Sequence, residues 1–200
     1  MEKTRLIALT GGIGSGKSTA LNILKETGFF TVSCDELTKE LYSSPAFLRK
    51  LKMVFPFAVR GFIKPVVDKG ALSEKVFGDK TQLEKLNALI HPTVLKNAMK
   101  KAEKSGAKYA FIEVPLLFEY GYEKLFDGVI VIMRDKEQRI KSVVERSGLT
   151  REQVESRMNN QIDYSSFNFG TAKIVNNPSD EVFLKKQLLN ALTELGVKPN

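Results

Sequence analysis

Residues 11–18 constrain the fold of this chain more than any other segment. They read GGIGSGKS, which matches the pattern G-x-x-x-x-G-K-S/T in full. The preceding segment, RLIALT, is mostly apolar and predicts a buried parallel strand. The following segment, from Lys17 to about Thr27, places apolar side chains at helical spacing, and Gly28 then predicts the end of the helix. A strand, a glycine-rich turn and a helix in this order predict a phosphate-binding loop in an α/β fold.

The chemistry of such a loop explains its residue types. Glycines let the backbone N–H groups surround an anion, and the amino end of the helix adds positive charge. Lys17 is expected to reach the β- and γ-phosphates of ATP, and Ser18 to give its hydroxyl to Mg²⁺. A glycine turn that binds nothing is the alternative, which the flanking strand and helix disfavour. The predicted ATP-binding residues are Gly12, Ile13, Gly14, Ser15, Gly16, Lys17, Ser18 and Thr19.

The loop predicts nucleotide binding but does not specify a reaction. The chain has no good Asp-x-x-Gly switch motif after its third predicted strand and no Asn-Lys-x-Asp guanine-binding motif. With 200 residues, it is small for a motor. These observations favour a kinase, which transfers phosphate to a small acceptor. A nucleotide-dependent regulatory protein without transfer activity remains an alternative.

Composition narrows the environment and the partners. The formal net charge is +8, from 31 Lys and Arg against 23 Asp and Glu, which favours anionic partners. The basic residues are spread along the chain without interleaved aromatics, so we expect no nucleic-acid binding. No apolar run approaches the roughly 20 residues of a membrane span, and the apolar amino-terminal stretch is too short for a signal peptide. The single cysteine, Cys34, fits a reducing cytoplasm. We expect a cytoplasmic monomer or small homo-oligomer.

The rest of the chain predicts one domain with two helical excursions. Further strands are predicted at residues 29–33, 109–114, 128–133 and 172–175, giving a five-stranded parallel sheet, and a closing helix is predicted at residues 180–195. Residues 45–106 show helical periodicity and little strand signal, with His91-Pro92 between two helical segments and Pro92 at a helix start. Residues 135–167 predict a charged helical pair divided at Ser147-Gly148. Thr150 and Gln153 form a capping box for its second helix. The predicted division is a core of residues 1–44, 107–134 and 168–200, a substrate-binding insertion of 45–106 and a lid of 135–167.

Several polar residues have a functional and a structural interpretation, and the sequence leaves both open. Asp35 follows the second strand and is either a general base or the N-cap of a helix at residues 36–42. Glu113 ends the third strand and either holds Mg²⁺ through water or is solvated. Arg146 precedes the Ser147-Gly148 break and either neutralises transferring phosphate or lies on a solvated face with the arginines around it. His91 is a cap or packing residue unless it contacts substrate. The neighbouring arginines are Arg134, Arg139, Arg151 and Arg157.

Several segments together resemble the dephospho-CoA kinase family. The similarity extends from about residue 5 to 195 and includes LTGGIGSGKST, the Cys34-Asp35 pair, Leu72 to Val76-Phe77, Leu86-Asn87 to His91-Pro92, and VPLLFE from Val114. Arg146, Thr150, Arg157 and Gln161 have the spacing of that family's lid, and Asn177 resembles an asparagine near its last strand.

The resemblance implies ATP-dependent phosphorylation of the ribose 3′-hydroxyl of dephospho-CoA, the last step of coenzyme A synthesis. It implies that Asp35 is the base, that Lys17 and Arg146 stabilise the transferring charge, and that Ser18 helps to hold Mg²⁺. It further implies that the acceptor lies near a small set of residues: Thr10, Asp35, His91, Pro115, Leu116 and Leu117. A kinase of another small acceptor, such as a nucleoside or nucleotide, is the alternative.

The chain also departs from the family pattern. Ser33 stands where the family has the first acid of D-A-D, and Lys69 stands where it has arginine, which removes a bidentate fork. Ser142 replaces an arginine one turn before Arg146, and Thr171-Ala172 replaces Ala-Asp before the last strand. The family's aspartate before PLL is Glu113 here. These changes leave room for weaker activity or a shifted acceptor.

Overall fold

The computed structural model describes residues 3–61, 65–77 and 79–198, without the side chain of Phe77. The chain divides into two compact units, one formed by residues 1–33 and 99–200 and the other by residues 34–98. In the described residues the elements are β1 (Arg5–Thr10), α1 (Lys17–Glu26), β2 (Phe30–Ser33), α2 (Cys34–Leu41), α3 (Pro45–Val54), β3 (Val59–Arg60), β4 (Val66–Val67), α4 (Lys69–Phe77), α5 (Lys80–Lys104), β5 (Tyr109–Glu113), β6 (Gly128–Met133), α6 (Lys136–Ser147), α7 (Arg151–Met158), β7 (Lys173–Asn176) and α8 (Glu181–Glu194). Single turns of 3₁₀ helix lie at Pro56–Ala58 and Tyr122–Leu125.

The first unit is built on a five-stranded parallel sheet in the order β2-β5-β1-β6-β7. The predicted fold class and the five predicted strands are confirmed, with boundaries that shift by one residue at most. All residues of β1 from Leu6 to Thr10 are buried. Successive side chains of a strand point to opposite faces, so both faces of the sheet are covered here, as is typical of parallel sheets. Ile7 and Leu9 pack in one cluster with apolar residues of α1 and α8. Because β1 is the central strand, the loop that follows it leaves the middle of the sheet at its carboxyl edge, where α/β folds bind ligands.

The second unit is mainly helical and includes α2, α3, α4 and most of α5. Its sequence gave little strand signal, but β3 and β4 form a short antiparallel pair in which Val59 lies opposite Val67. Asp68 follows this pair, forms an ion pair with Arg60 and accepts a hydrogen bond from the Ala71 N–H at 3.1 Å. The pair is therefore joined directly to the start of α4.

Helix α5 runs through His91-Pro92 without a break, so the predicted division into two helices and the placement of Pro92 at a helix start are wrong. Leu86, Ile90, Val94 and Ala98 are all buried at a constant spacing of four residues. The buried apolar face of α5 therefore continues on the same side of the helix before and after Pro92. Its burial offsets the cost of an interior proline, which is about 3 kcal/mol in an isolated helix.

Helix α2 begins at Cys34, two residues before the start of the predicted helix at residues 36–42. Asp35 consequently lies inside the first helical turn, and the N-cap interpretation of this residue is wrong. A carboxylate in this turn still interacts favourably with the positive end of the helix. The side chain is exposed, so it is available to a ligand.

Candidate functional site

The phosphate loop has a backbone that only glycine adopts readily at two of its turns. Gly14 and Gly16 have φ angles of 76° and 94°, in the left-handed region. Space also requires glycine, since a Cβ at Gly16 would collide with the side-chain amide of Asn177. The loop ends where α1 begins, at Lys17, with Gly16 as the N-cap. The predicted loop and helix start are therefore confirmed.

Three successive carbonyl groups of the loop are held from outside by side chains. The carbonyl of Ile13 accepts from Arg139 Nε at 2.9 Å, and that of Gly14 accepts from Arg134 Nη1 at 3.2 Å. The carbonyl of Ser15 accepts from Asn177 Nδ2 at 2.8 Å. In a trans peptide the N–H points opposite to the carbonyl, so these bonds turn the N–H groups of Gly14 and Gly16 away from the donors, while the Ser15 N–H donates to the Gly12 carbonyl at 3.1 Å. With the unpaired N–H groups of the first turn of α1, this arrangement favours an anion.

The side chain of Lys17 folds back over its own loop. Its Nζ donates to the carbonyls of Gly11 at 2.8 Å and Gly12 at 3.2 Å. The ammonium group therefore lies beside the first glycines of the motif. That Lys17 reaches the phosphates of a bound nucleotide stays a prediction.

Ser33 and Glu113 form a buried pair at the carboxyl ends of β2 and β5. They lie opposite each other in the strand register, and Ser33 Oγ donates to Glu113 Oε2 at 2.8 Å. Glu113 is only 4% exposed. The serine that departs from the family pattern therefore binds the glutamate that also departs from it. Two facing carboxylates would repel each other, whereas a hydroxyl satisfies one oxygen of the acid.

Thr10 and Tyr164 place two buried hydroxyl groups near the loop. Thr10 is fully buried and Tyr164 is 4% exposed. The Tyr164 hydroxyl lies near the side chain of Thr10 and the backbone of Gly11, but within the described residues neither the Thr10 nor the Tyr164 oxygen meets the geometry of a hydrogen bond. Burial raises the pKa of Tyr164 above its ordinary value, so this hydroxyl keeps its proton. Buried hydroxyls without partners are available to a polar ligand.

The segment that resembles PLLFE places a carboxylate near Lys17. Glu119 Oε1 accepts from the N–H of Ile162 at 3.2 Å, and burial raises the pKa of Glu119 while the charge of Lys17 lowers it. Leu117 is fully buried, whereas Pro115 and Leu116 are partly exposed. Pro115 and Leu116 therefore remain available for contact with a substrate, and Leu117 supports the loop from inside.

In the second unit the structure brings Asp35 and His91 within electrostatic range of each other. Burial lowers the pKa of His91 from its ordinary value, and the negative charge of Asp35 raises it. The two residues are far apart in sequence, and both were predicted to face the acceptor. A carboxylate and a partly buried imidazole can together bind a hydroxyl group and accept its proton.

Arg146 lies in the last turn of α6 and is exposed. Within the described residues it makes no ion pair or hydrogen bond through its side chain, whereas Arg139, earlier on the same helix, contacts the loop. Helix α6 ends at Gly148, with φ 65°, and the predicted capping box of Thr150 and Gln153 at the start of α7 is confirmed. The structure therefore does not bring Arg146 to the loop.

The residues that hold the loop were not among the predicted site residues. The signal for Arg134 was its position directly after the buried strand β6, the same rule that selected Asp35. Gln161 Oε1 accepts from the N–H of Ile13 at 2.8 Å, so this residue also supports the loop. In the sequence, Gln161 was noted only because its spacing resembles the family's lid. No sequence signal distinguished Arg139 from the other arginines. Tertiary packing decides which face of α6 contacts the loop, and the sequence does not show that packing. The additional residues near the loop are Arg134, Arg139, Gln161, Asn177, Glu119 and Tyr164.

Comparison with known proteins decides the family. The family model described as dephospho-CoA kinase matches residues 5–181. The chain belongs to the dephospho-CoA kinase family. A dephospho-CoA kinase of Thermus thermophilus is 33% identical over 190 residues, which cover 95% of this chain and 91% of that protein. One from Corynebacterium glutamicum is 36% identical over 163 residues, covering 78% and 80%.

Solved structures agree with this assignment. A crystal structure of a Thermus thermophilus protein aligns with a TM-score of 0.82 at 31% identity, covering 96% of this chain and 98% of that one. The dephospho-CoA kinase of Campylobacter jejuni aligns with a TM-score of 0.61 at 26% identity, covering 96% and 97%. As a member of the dephospho-CoA kinase family, the chain is an ATP-dependent kinase. Among its described residues, no helix is both long and apolar enough to cross a bilayer.

Proposed function

We propose that this protein transfers the γ-phosphate of ATP to the ribose 3′-hydroxyl of dephospho-CoA, giving CoA and ADP. The observation that carries the proposal is the family match over residues 5–181, which includes a phosphate loop of the required geometry. The acceptor oxygen attacks the γ-phosphorus, the bond from that phosphorus to the bridging oxygen of ADP breaks, and the acceptor proton leaves.

Asp35 is the proposed base that takes this proton. Its carboxylate is exposed, and no cation forms a salt bridge with it among the described residues. Lys17 and Arg146 are the proposed cations that stabilise the charge on the transferring group. Arg146 is exposed at the end of α6, so its contribution requires a ligand to draw it in.

Mg²⁺ is the proposed metal, held by the Ser18 hydroxyl and, through water, by Glu113. Ser18 is exposed in the first turn of α1, and Glu113 offers a carboxylate with one oxygen bound to Ser33. The described residues contain no group of three or more His, Cys, Asp or Glu side chains that could hold a metal ion. This donor set fits a magnesium ion that keeps several waters and binds mainly phosphate oxygens. When bound, the ion supplies charge neutralisation on those oxygens.

Each unit contains residues that we propose to bind an acceptor. In the first unit they are Thr10, with its buried hydroxyl, and the partly exposed Pro115 and Leu116, with the predicted contact Leu117 buried beneath them. In the second unit they are Asp35 and His91, which interact electrostatically. In the second unit, a carboxylate and an imidazole suit a ribose hydroxyl. In the first unit, the hydroxyl suits a polar group of the acceptor, and the apolar segment suits its base or its pantetheine arm.

The remaining proposals follow from composition and organisation. Residues 45–106 form the substrate-binding insertion and residues 135–167 the lid, with residues 1–44, 107–134 and 168–200 as the core. The protein acts in the cytoplasm as a monomer or small homo-oligomer, without nucleic acid or membrane partners. Its net charge of +8 suits two anionic substrates.

The test mixes the purified protein with Mg-ATP and dephospho-CoA and follows the products by mass spectrometry. We expect one phosphate added to the acceptor, ADP formed in equal amount, and fragmentation that places the phosphate on the 3′-oxygen. Lys17→Met is the matched control and should abolish transfer. Phosphate on a nucleoside or nucleotide but not on dephospho-CoA would replace the proposal with a kinase of another acceptor. ATP binding without any product would indicate a regulatory protein.

A further inference from the structure

Helix α6 lies directly on the phosphate loop. Besides the bond from Arg139 Nε to the Ile13 carbonyl, a Cβ at Gly14 would meet the side chain of Val143 at 2.9 Å. Arg139 and Val143 are one turn apart, so they share the face of α6 that contacts the loop. Arg139 is the charged residue on this face at the position of contact.

The guanidinium group of Arg139 occupies the space beside Gly12. A Cβ at Gly12 would collide with Arg139 Nη2 and lie 3.1 Å from Nη1. Only the absence of a side chain at Gly12 lets the guanidinium approach this closely. Within the described residues, Arg139 forms a hydrogen bond only through Nε, and neither terminal nitrogen has a hydrogen-bond or ion-pair partner.

Lys17 marks the same end of the loop. Its Nζ is 3.2 Å from the carbonyl oxygen of Gly12, so an ammonium and a guanidinium group flank one glycine. In loops of this kind the lysine reaches the β- and γ-phosphates. The terminal nitrogens of Arg139 therefore lie beside the glycine whose carbonyl binds the lysine that reaches these phosphates.

The nearby negative charge is already engaged elsewhere. Asp163 raises the pKa of Arg139, but its carboxylate accepts hydrogen bonds from the side chains of Ser165 and Ser166. Glu119 acts on Lys17 and is bound to the N–H of Ile162. Burial lowers the pKa of Arg139, while Tyr164 and Asp163 raise it. An anion beside the guanidinium would stabilise the charged form further.

We propose that Arg139 is a phosphate-binding residue of this chain, whose two terminal nitrogens contact the γ-phosphate of bound ATP while Nε keeps the Ile13 carbonyl. The planar guanidinium presents parallel donors that match phosphate oxygens. The inference rests on the proposed function only for the identity of the nucleotide. Arg146 lies seven residues further along α6, about 10 Å along the helix axis, and so cannot occupy the same position without a change of conformation.

The test compares the affinities for ATP and ADP, measured by calorimetry without any acceptor, in Arg139→Met and Arg139→Lys. Loss of the charged contacts should weaken ATP binding by a factor of about 10 to 100, the effect of losing hydrogen bonds to a charged group. ADP binding should fall much less, since ADP lacks the γ-phosphate. Arg139→Lys keeps the charge and should recover part of the preference for ATP. Thermal unfolding of each variant shows whether it is folded.

Two further arginines serve as controls. Arg134 uses one terminal nitrogen on the Gly14 carbonyl and the other on Ser179 Oγ, at 3.2 and 2.6 Å, so Arg134→Met should weaken ATP and ADP alike. Arg151, in exposed ion pairs with Glu137 and Glu155, should leave both affinities unchanged when replaced by Met. An equal loss of ATP and ADP affinity in Arg139→Met, unrelieved by Arg139→Lys, would assign Arg139 to loop support alone. Unchanged ATP affinity in Arg139→Met would also overturn the proposal. Because no acceptor is present, either result leaves the question of dephospho-CoA to the product assay.

Discussion

The side-chain amide of Asn177 donates a buried hydrogen bond to the carbonyl of Ser15, 2.8 Å away and 162 positions earlier in the chain. Asn177 also accepts from the N–H of Ser179 at 3.0 Å, and its own N–H donates to the Met133 carbonyl at 2.8 Å. One residue after the last strand therefore fixes the strand end, the next turn and the phosphate loop together.

Asn177→Ala should weaken both the fold and nucleotide binding. It leaves the Ser15 carbonyl without its donor, which costs about 1–3 kcal/mol when the group stays buried. We expect a lower free energy of unfolding in denaturant titrations and weaker ATP binding by calorimetry. Asn176→Ala is the matched control, because Asn176 is the exposed neighbour. Equal behaviour of the two variants would mean that the bond to Ser15 does not support the loop.

Asp35→Asn should reduce turnover without preventing ATP binding. The amide keeps the size of the side chain but cannot accept the acceptor proton, and loss of a general base typically costs a factor of about 10²–10⁴ in rate. The measurement is kcat for ADP release with dephospho-CoA as acceptor. Glu40→Gln, an exposed acid later on α2, should retain full activity. Turnover near that of the unchanged protein would remove Asp35 from the mechanism.

His91 should make the protein less stable in mild acid. Burial lowers its pKa in the folded protein below the ordinary value of 6.5, so the unfolded chain binds the proton more readily. Above about pH 6.5 the imidazole is neutral in both states and contributes no dependence on pH. As the pH falls through 6.5 toward the folded pKa, the free energy of unfolding decreases.

His91→Gln removes this contribution. The difference in unfolding free energy between the two proteins, measured by urea titration at several pH values, should therefore change between about pH 7.5 and 5. In the protein that keeps His91, Asp35→Asn should enlarge the loss of stability in mild acid, because the charge of Asp35 raises the pKa of His91. Parallel stability curves for the parent and His91→Gln would show that His91 titrates alike in both states.

Asp68→Ala should destabilise the second unit more than Asp68→Asn. The carboxylate accepts from the Ala71 N–H at the start of α4 and pairs with Arg60, whose side chain is 75% exposed. Loss of a helix-start acceptor costs about 1 kcal/mol, and an exposed ion pair contributes at most about 1 kcal/mol. Asparagine keeps the acceptor and loses only the charge. Arg60→Ala should match Asp68→Asn in unfolding experiments, and a larger loss in Arg60→Ala would reverse this order of importance.

Local chemistry made much of this fold predictable from sequence. The glycine motif, the apolar strand before it and the Thr150–Gln153 capping box each depend on neighbouring residues, and each is confirmed. Two-residue strands such as β3 and β4 carry no periodicity, so nothing in their sequence distinguished them. The continuity of α5 through Pro92 depended on packing along the whole stripe from Leu86 to Ala98.

The site residues that belong to one sequence motif could be predicted. The site residues that come from distant parts of the chain could not. Lys17 and Ser18 belong to the motif itself. Arg139 was one arginine among several on a charged helix, and only the contact of α6 with the loop distinguishes it. Asn177 was noted from the family resemblance, but its bond to Ser15 depends on the place of β7 at the edge of the sheet.

The three outer donors to the loop carbonyls have a consequence for how the protein is made. They lie 120, 126 and 162 positions after their acceptors, so a growing chain carries the glycine motif long before it carries the groups that hold it. Contacts of such long sequence separation form late, after the intervening chain has been ordered. A nascent chain that ends before residue 177 therefore lacks the donor to the Ser15 carbonyl, so the phosphate loop gains its last outer support only when the final strand has been made.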